Sequence, residues 1–304
     1  MLLAAHLISY FQAIVIGLLQ GITELFPISS LGHAVILPKL VGWNLNQKQP
    51  YFLAFLVATH LATAIVLFLF FIREWIRILR GLGRSLRDRE LAPGDADARL
   101  AWLLVVGTIP AGILGLLLQD KLRTLFASGI AASAFLTANG LILFGAEWLR
   151  RRAPGADERA RELERRREAD TSEEAEKRLA TLGWPEAVGV GTAQAAALLP
   201  GISRSGVTMS GGLFLGLTHE DAARYAFLLA TPIIGAAAAL KIPDLFGDAG
   251  NGVRGQALAG ALFAAAGAWV SVRFLMRYFE TNRLTPFAFY CLLAGLACLI
   301  YFAS

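Results

Sequence analysis

The side chains best suited to chemistry lie in two short polar segments that interrupt long apolar stretches of this 304-residue chain. The first segment carries Glu24, which is the only acidic residue between positions 1 and 72. An isolated charge inside a membrane costs at least ~2.5–3.5 kcal/mol on insertion scales, so an acidic side chain within apolar sequence needs a partner or a function. Glu24 is therefore the first candidate for a functional residue.

A hydroxyl and an imidazole follow Glu24 along the chain. Ser30 and His33 are three residues apart, so their side chains can meet if a second helix has already begun at Ser30. A Ser–His pair near a carboxylate is an arrangement that activates a nucleophile or a water molecule. Gln20 lies one helical turn before Glu24, so these two side chains share a face of the preceding helix.

The second polar segment has the composition of an anion cradle. Arg204 supplies a permanent, planar positive charge that suits phosphate. Glycine lets backbone N–H groups approach an anion, and the helix after the turn points its positive end at the tip. The candidate phosphate ligands besides Arg204 are Ser29, Gly201, Ser203, Ser205 and Thr208. A phosphate held by Arg204 opposite Glu24 and His33 would explain why both segments are polar.

Structural explanations compete with these functional ones. Arg204 and Glu24 could form an ion pair that only holds the two segments together. Ser and Thr in membrane helices mostly form interhelical hydrogen bonds. His60 lies in the middle of an apolar run, where packing or a hydrogen bond is the expected role. Arg224 fits either an interfacial anchor or a second anion contact.

The elements that must position these side chains are membrane-spanning helices. The composition is 56% hydrophobic and 17% charged, whereas soluble domains carry about a quarter charged residues. A helix needs about 20 apolar residues to cross the hydrocarbon core. Six runs are close to this length, at 51–72, 101–118, 125–146, 225–240, 255–276 and 285–303. The sequence predicts an all-α polytopic membrane protein with six full spans.

The distribution of charge predicts the orientation of these spans. Basic residues concentrate in 73–99 and 150–178, and the positive-inside rule assigns both segments to the cytoplasm. The net charge is +5, but the basic residues cluster in loops beside spans, and this distribution argues against nucleic-acid binding. The mixed-charge segment 150–178 is expected to be a solvated helix.

Two stretches, 14–40 and 188–217, do not fit as full spans because Pro, Gly and Ser interrupt them. Each is predicted to be a re-entrant hairpin, in which two half-helices flank a polar turn. The stretches share identities at a constant offset of 174, namely Gly17 with Gly191, Gln20 with Gln194, Ile28 with Ile202, Ser29 with Ser203, Gly32 with Gly206 and, further on, Tyr51 with Tyr225. Three spans separate the hairpins, so the second copy is inverted, and paired broken helices of this kind point to a membrane binding site.

This pattern predicts a single membrane domain over 1–304 that contains an inverted repeat. The first repeat covers about 1–150, a charged cytoplasmic loop covers 150–183, and the second repeat covers about 184–304. Each half is a re-entrant helix-loop-helix hairpin plus three transmembrane helices. The two hairpin tips are expected to meet near the middle of the membrane.

The polar segments also resemble the signatures of a known family, the BacA/UppP undecaprenyl-diphosphate phosphatases. That family has Glu or Gln, three residues and Glu, followed by Pro-x-Ser-Ser-x-Gly-His. Here these positions are Gln20, Glu24 and the run from Pro27 to His33. The second signature, Pro-Gly-x-Ser-Arg-Ser-x-x-Thr, is complete from Pro200 to Thr208.

The resemblance implies hydrolysis of undecaprenyl diphosphate, a C55 isoprenyl lipid of the bilayer, to undecaprenyl phosphate and inorganic phosphate. This reaction recycles the lipid carrier for cell-wall synthesis and is associated with bacitracin resistance. The resemblance further implies the bacterial cytoplasmic (inner) membrane, a site that opens to the periplasmic side, and a divalent cation, Mg²⁺ or Ca²⁺. The oligomeric state is left open, with a homodimer as one option.

By motif position, the resemblance assigns catalysis to Glu24, Ser30, His33 and Arg204, and the metal to Gln20 and Glu24. Many relatives carry Glu where this chain has Gln20, and an amide cannot act as a base, although its carbonyl can bind a hard cation. Weaker metal binding is therefore expected. The nucleophile stays open between Ser30 with His33 as its base, His33 itself, and water.

The main alternative function is a transporter or flippase for the lipid carrier, because inverted repeats and broken helices are typical of transporters. Release of phosphate by the purified protein separates the two functions. A second class of membrane lipid phosphatase also carries a Ser-Gly-His element, but its Lys-rich first motif and its late His–Asp element are missing from this sequence.

Overall fold

The computed structural model describes residues 7–122, 128–152 and 172–304, and within these ranges it contains twelve α-helices and no strands. The helices are α1 Tyr10–Leu25, α2 Ser30–Leu40, α3 Pro50–Phe70, α4 Ile72–Asp88, α5 Ala96–Leu122, α6 Gly129–Arg152, α7 Ser172–Leu179, α8 Trp184–Ala193, α9 Arg204–Phe214, α10 His219–Phe246, α11 Arg254–Phe279 and α12 Thr285–Ala303. Residues 153–171 of the predicted charged loop lie outside the described residues.

Six of these helices are long and apolar enough to cross a membrane, namely α3, α5, α6, α10, α11 and α12. They coincide with the six predicted runs. The prediction of an all-α polytopic membrane protein is confirmed, and the chain is a multi-pass membrane protein.

Two interrupted helix pairs complete the fold. The first pair is α1 and α2, which are separated by residues 26–29, and the second is α8 and α9, separated by a 3₁₀ turn and residues 199–203. Pro27 and Pro200 stand at the two breaks, where proline cannot continue the backbone hydrogen-bond ladder.

Both pairs begin four residues before the predicted starts at 14 and 188. Ser9 caps α1 by accepting the Gln12 backbone N–H, and the Gln12 side chain accepts the Ser9 N–H in return. At α8 the Glu186 side chain accepts the Gly183 backbone N–H, at 2.7 Å. Such caps satisfy the free N–H groups of a first turn, and they extend the helices beyond the apolar patterns.

The matched glycines of the two pairs pack in equivalent ways. A Cβ atom on Gly17 of α1 would lie 2.2 Å from the backbone oxygen of Gly260 in α11. A Cβ atom on Gly191 of α8 would lie 2.1 Å from the backbone oxygen of Gly107 in α5. Each pair therefore packs its first helix, backbone against backbone, on the second full span of the opposite half.

The described parts of the two charged segments are largely helical. The segment 73–99 contains most of α4, and the described part of 150–178 ends in α7. Glu176 on α7 is buried and forms an ion pair with Arg77, while Arg178 donates to Asp221 on α10 at 2.8 Å. The prediction of a solvated helix holds for α7 only in part: Glu173, Glu174 and Lys177 are exposed, whereas two other side chains make ion pairs with α4 and α10.

Candidate active site

The turns of the two helix pairs lie directly against each other. The Ser29 hydroxyl of the first turn accepts the backbone N–H of Gly201 in the second, at 3.1 Å. In return, the Ser205 hydroxyl donates to the Phe26 carbonyl at 3.1 Å, and the Ser203 hydroxyl lies 3.4 Å from the same oxygen. Backbone groups that the two helix breaks leave unpaired are thus satisfied by the opposite turn, as a membrane interior requires.

Asn139 on α6 holds both turns at once. Its amide donates to the Pro27 carbonyl at 2.9 Å, and its side-chain oxygen accepts the Ser203 backbone N–H at 2.9 Å. The side chain is fully buried. The sequence analysis missed this residue, although an amide inside the apolar run of α6 is the kind of signal that marks an interhelical contact.

Glu24 is the centre of the cluster. Arg204 donates to one carboxylate oxygen at 2.6 Å. The other oxygen accepts hydrogen bonds from Ser30 at 2.5 Å and from Gln20 at 2.9 Å. The first helix pair therefore supplies a hydroxyl and a carboxylate, and the second supplies a cation. Both the hydroxyl and the cation donate hydrogen bonds to the carboxylate.

His33 does not join this cluster. Its Nδ1 lies 2.6 Å from the Ser29 carbonyl, and its Nε2 lies 2.8 Å from the Tyr290 hydroxyl on α12. A carbonyl only accepts, so Nδ1 carries the hydrogen and both ring nitrogens are engaged away from Glu24. The catalytic role of His33 stays a prediction, and the structure gives it a backbone partner instead of Ser30.

His60 lies beside Glu24, the place where the sequence predicted the His33 imidazole. Its Nε2 is 3.4 Å from the Glu24 oxygen that also accepts from Ser30, and its Nδ1 is 2.8 Å from the Leu56 carbonyl. The expected role of His60 was packing or a hydrogen bond within its helix. The helix bond is present, but the ring also faces the cluster, which the apolar sequence around it did not indicate.

The candidate phosphate ligands divide into two groups. Ser29 and Ser203 line the cavity described below, whereas Gly201, Ser205 and Thr208 do not appear among its lining residues. The N–H of Gly201 and the hydroxyl of Ser205 are engaged between the two turns. Arg224, the other candidate cation, donates to Glu74 at 3.1 Å, in an ion pair between α10 and α4.

A cavity of about 380 Å³ opens onto the cluster. Glu24, Ser30, His60 and Arg204 line one part of it. Most of its remaining wall is apolar and comes from α2, α3 and α10, with residues such as Leu53. A largely apolar pocket with a few converging polar groups is the usual form of a small-molecule site, and this one suits an amphiphile with an anionic head.

Comparison with known proteins agrees with this picture. Residues 13–297 match the model of a family described as Bacitracin resistance protein BacA. The chain belongs to this family.

Several relatives extend over nearly the whole chain. A protein of Mycolicibacterium paratuberculosis named Undecaprenyl-diphosphatase is 52% identical, and the alignment covers 99% of each chain. Undecaprenyl-diphosphatase 2 of Frankia alni is 46% identical over 98% of this chain and 99% of its own. Undecaprenyl-diphosphatase 2 of Chromobacterium violaceum is 42% identical over 95% of this chain and 98% of its own.

The predicted cation ligands can be tested against the geometry. In the described part of the chain, no group of three or more His, Cys, Asp or Glu side chains forms a metal centre. The Gln20 side-chain oxygen is nevertheless buried without a hydrogen-bond partner, and the amide nitrogen of the same side chain donates to the Glu24 carboxylate. This pair fits a Mg²⁺-type ion that takes most of its ligands from water and a substrate phosphate.

Proposed function

We propose that this protein hydrolyses undecaprenyl diphosphate to undecaprenyl phosphate and inorganic phosphate. The observation that carries the proposal is the meeting of the Ser30 hydroxyl, the Glu24 carboxylate and the Arg204 guanidinium at one cavity with otherwise apolar walls. A nucleophile, its proton acceptor and a phosphate-binding cation are what phosphoryl transfer requires.

In the first step, the Ser30 oxygen attacks the terminal phosphorus while its proton passes to Glu24. The bond from this phosphorus to the bridging oxygen breaks, and the isoprenyl monophosphate leaves with the electron pair. The hydrogen bond that Ser30 donates to Glu24 supports this direction of proton transfer. Arg204 binds the phosphate oxygens with its remaining donors, since its five N–H groups exceed the two hydrogen bonds that it makes here.

Glu24 then passes the proton that it took from Ser30 to the departing monophosphate, so the carboxylate is free again. In the second step, water attacks the phosphoserine, and one of its protons passes through this carboxylate to the Ser30 oxygen. The phosphorus–serine bond breaks, inorganic phosphate leaves, and the Ser30 hydroxyl is restored. A direct attack by water, with Glu24 as the base, gives the same products in one step. The two routes differ in whether a phosphoserine forms, and therefore in the effect of removing Ser30.

The proposed cation is Mg²⁺ or Ca²⁺, and Gln20 and Glu24 would hold it. When bound, it would neutralise charge on the diphosphate. The unpartnered oxygen of Gln20 supports this assignment. It can be checked without turnover by following water proton relaxation while added Mg²⁺ displaces bound Mn²⁺, which reports occupancy of the site. Gln20→Leu should weaken cation binding at least about tenfold, the effect of losing a ligand contact.

The site is proposed to face the periplasm, with the chain in the cytoplasmic (inner) membrane. The cavity-lining residues of α3 lie near its start, at 52–60, and those of α10 lie towards its end, at 233–241. The opposite ends of these two helices adjoin the basic segments that the positive-inside rule assigns to the cytoplasm. At that end, Arg224 of α10 forms an ion pair with Glu74 of α4, the helix that follows α3.

In this location the reaction would return the lipid carrier to cell-wall synthesis. By removing undecaprenyl diphosphate, it would also account for the role in bacitracin resistance after which the family is named. A homodimer stays a prediction, which the mass of the purified protein in detergent tests.

The decisive experiment measures phosphate release from C55 and C15 isoprenyl diphosphates by the purified protein in neutral detergent. Wild type should release phosphate, and Glu24→Gln should lose at least about 10²-fold in kcat, because the amide cannot accept the proton. No release by wild type would overturn the proposal. Movement of labelled lipid between leaflets without phosphate release would instead establish the transporter.

A further inference from the structure

The cavity has a second cation far from its catalytic cluster. Lys241 on α10 lines the cavity together with Ile233, Ile234, Ala237 and Ala238 of the same helix. Residues at these spacings form one stripe along a helix, so the cavity follows α10 towards the end that is proposed to face the periplasm. Lys241 is the last residue of this stripe.

Lys241 lies on the outer side of Arg204 along the cavity. The Arg204 guanidinium donates to the Ala230 carbonyl, which marks its level on α10. Lys241 comes eleven residues later, or about 16 Å along the helix axis. An incoming head group therefore meets Lys241 before it reaches Arg204.

Among the residues that the structure describes, no other charged side chain lines this outer part of the cavity. Of the charged residues in the cavity wall, Glu24 and Arg204 form an ion pair at the cluster, beside His60. Within the described residues, the Lys241 ammonium has no ion pair and no hydrogen bond, and its side chain is only half-buried. Apolar walls of low dielectric focus the field of such a charge into the opening of the cavity.

We infer that Lys241 captures the phosphate-bearing head group at the mouth of the cavity and raises the rate at which substrate reaches Arg204. This inference rests on the proposed function for the identity of the head group. Because Lys241 lies outside the level of Arg204, it acts on association and leaves the chemical step unchanged. Lys241 is thus an entrance residue and not a catalytic one.

The test compares Lys241→Gln with Lys241→Arg and with a matched control, Lys48→Gln. Lys48 is exposed, precedes α3 on the same side of the membrane, and does not line the cavity. The probe is a non-hydrolysable C15 methylenediphosphonate, and its association and dissociation rates are measured by stopped flow with full-length protein in zwitterionic nanodiscs. This probe needs no turnover, so the result does not depend on whether the protein is a phosphatase.

At about 10 mM salt, where the Debye length is ~30 Å, Lys241→Gln should associate about five- to tenfold more slowly than wild type. At about 1 M salt, where that length is ~3 Å, the difference should fall below twofold. Lys241→Arg and Lys48→Gln should match wild type within twofold. An unchanged association rate in Lys241→Gln at low salt would overturn the inference, and so would a change found only in the dissociation rate.

A parallel measurement of phosphate release keeps the two proposals apart. If wild type releases no phosphate but Lys241→Gln still slows association, the proposed reaction fails and the entrance role stands. If wild type is active and Lys241→Gln lowers kcat with KM and association unchanged, the entrance role fails and the reaction stands. Adding phosphatidylglycerol to the nanodiscs tests whether Lys241 binds the phosphate of bulk lipid instead. In that case Lys241→Gln would no longer slow association of the probe in these nanodiscs, and this result would also count against the inference.

Discussion

The two hairpins use the same framework at matched positions. Ser29 and Ser203 are 174 residues apart, and each is the N-cap of the helix that follows its turn. The Ser29 hydroxyl accepts the N–H of Gly32 at 3.2 Å, and the Ser203 hydroxyl accepts the N–H of Gly206 at 3.1 Å. Two of the identities found in the sequence, Ser29 with Ser203 and Gly32 with Gly206, are thus residues that cap the helices after the turns, whatever chemistry the turns then carry.

One residue later, the hairpins differ in the way that matters for function. Ser30 is the first residue of α2 and Arg204 is the first residue of α9, again 174 positions apart. Both line the cavity, at helix starts whose positive ends favour an anion. The comparison teaches that matched helix starts can carry a hydroxyl in one hairpin and a permanent cation in the other.

The hairpins also differ in how their backbones turn. In the first, the cap residue itself is left-handed, with φ of 68° at Ser29, which is unfavourable for a residue with a side chain. In the second, the left-handed residue is Gly201, with φ of 115°, where only glycine fits because a Cβ would lie 2.3 Å from the Ala132 carbonyl oxygen. The hydrogen bond from His33 to the Ser29 carbonyl helps hold the first, strained turn.

Removing the cation of the second hairpin should have the largest effect. Arg204→Ala should lower kcat/KM at least about 10³-fold, because such a cation stabilises the charge that develops on the transferred phosphoryl group. The measurement is phosphate release by purified protein, with Arg73→Ala, an exposed arginine on α4, as the control that stays near wild type. Turnover within tenfold of wild type in Arg204→Ala would reduce its pairing with Glu24 to a structural ion pair.

Removing the matched hydroxyl of the first hairpin should cost about 10²- to 10³-fold in kcat if Ser30 is the nucleophile. Ser210→Ala, which removes a buried hydroxyl later in α9, should retain activity within threefold. Rapid quenching with a substrate labelled at the terminal phosphate should trap a phosphoprotein in wild type only. A Ser30→Ala variant with more than a tenth of wild-type kcat would favour direct attack by water.

Much of this comparison could be predicted from residue types alone. The cost of Glu24 in an apolar stretch and the fixed charge of Arg204 predicted that the two would face one another or a shared ligand. Pro27, Pro200 and the glycines predicted where the helices break. These properties belong to single residues and their immediate neighbours, so they are visible without a structure.

The direction of a side chain about a helix axis was harder to predict. Ser30 and His33 have the spacing of neighbours on α2, yet Ser30 donates to Glu24 while His33 bonds back to Ser29 and faces Tyr290. His60 faces Glu24 only because of how α3 packs across α1. Such directions depend on contacts between distant segments, which local spacing does not encode.

Asn139 tests whether the two turns must be aligned for catalysis. Asn139→Leu leaves the Pro27 carbonyl and the Ser203 N–H unpaired, at about 1–3 kcal/mol of stability for each group. We expect a kcat about tenfold lower, with KM within threefold, because Ser30 and Arg204 lose their register while the cavity walls remain. Thr137→Val removes only a hydrogen bond within the same helix and should leave kcat unchanged. A fall in thermal midpoint without a fall in kcat would make Asn139 purely structural.

The matched glycines test whether the two hairpins are held equally tightly. Gly17→Ala and Gly191→Ala each place a methyl group against a backbone oxygen, and overpacking of this kind costs typically about 1–3 kcal/mol. The thermal midpoints of the two variants in detergent should fall by similar amounts. Gly189→Ala, also on α8, meets no atom within 4 Å and should leave the midpoint unchanged. A loss in only one of the two variants would break the equivalence of the hairpins.

The smallest expected effect concerns the matched glutamines. Gln20→Glu should keep kcat within threefold and lower the cation concentration for half-maximal activity by about tenfold, since a second carboxylate strengthens binding of a hard cation. Gln194→Glu is the comparison, because its side-chain oxygen is also buried without a partner but its amide donates to Gly107 at 3.3 Å instead of to Glu24. An equal drop in both variants would mean that any negative charge at the cavity suffices. A higher cation requirement in Gln20→Glu would remove Gln20 from the metal site and leave the first hairpin's distinction from the second to Glu24 and Ser30 alone.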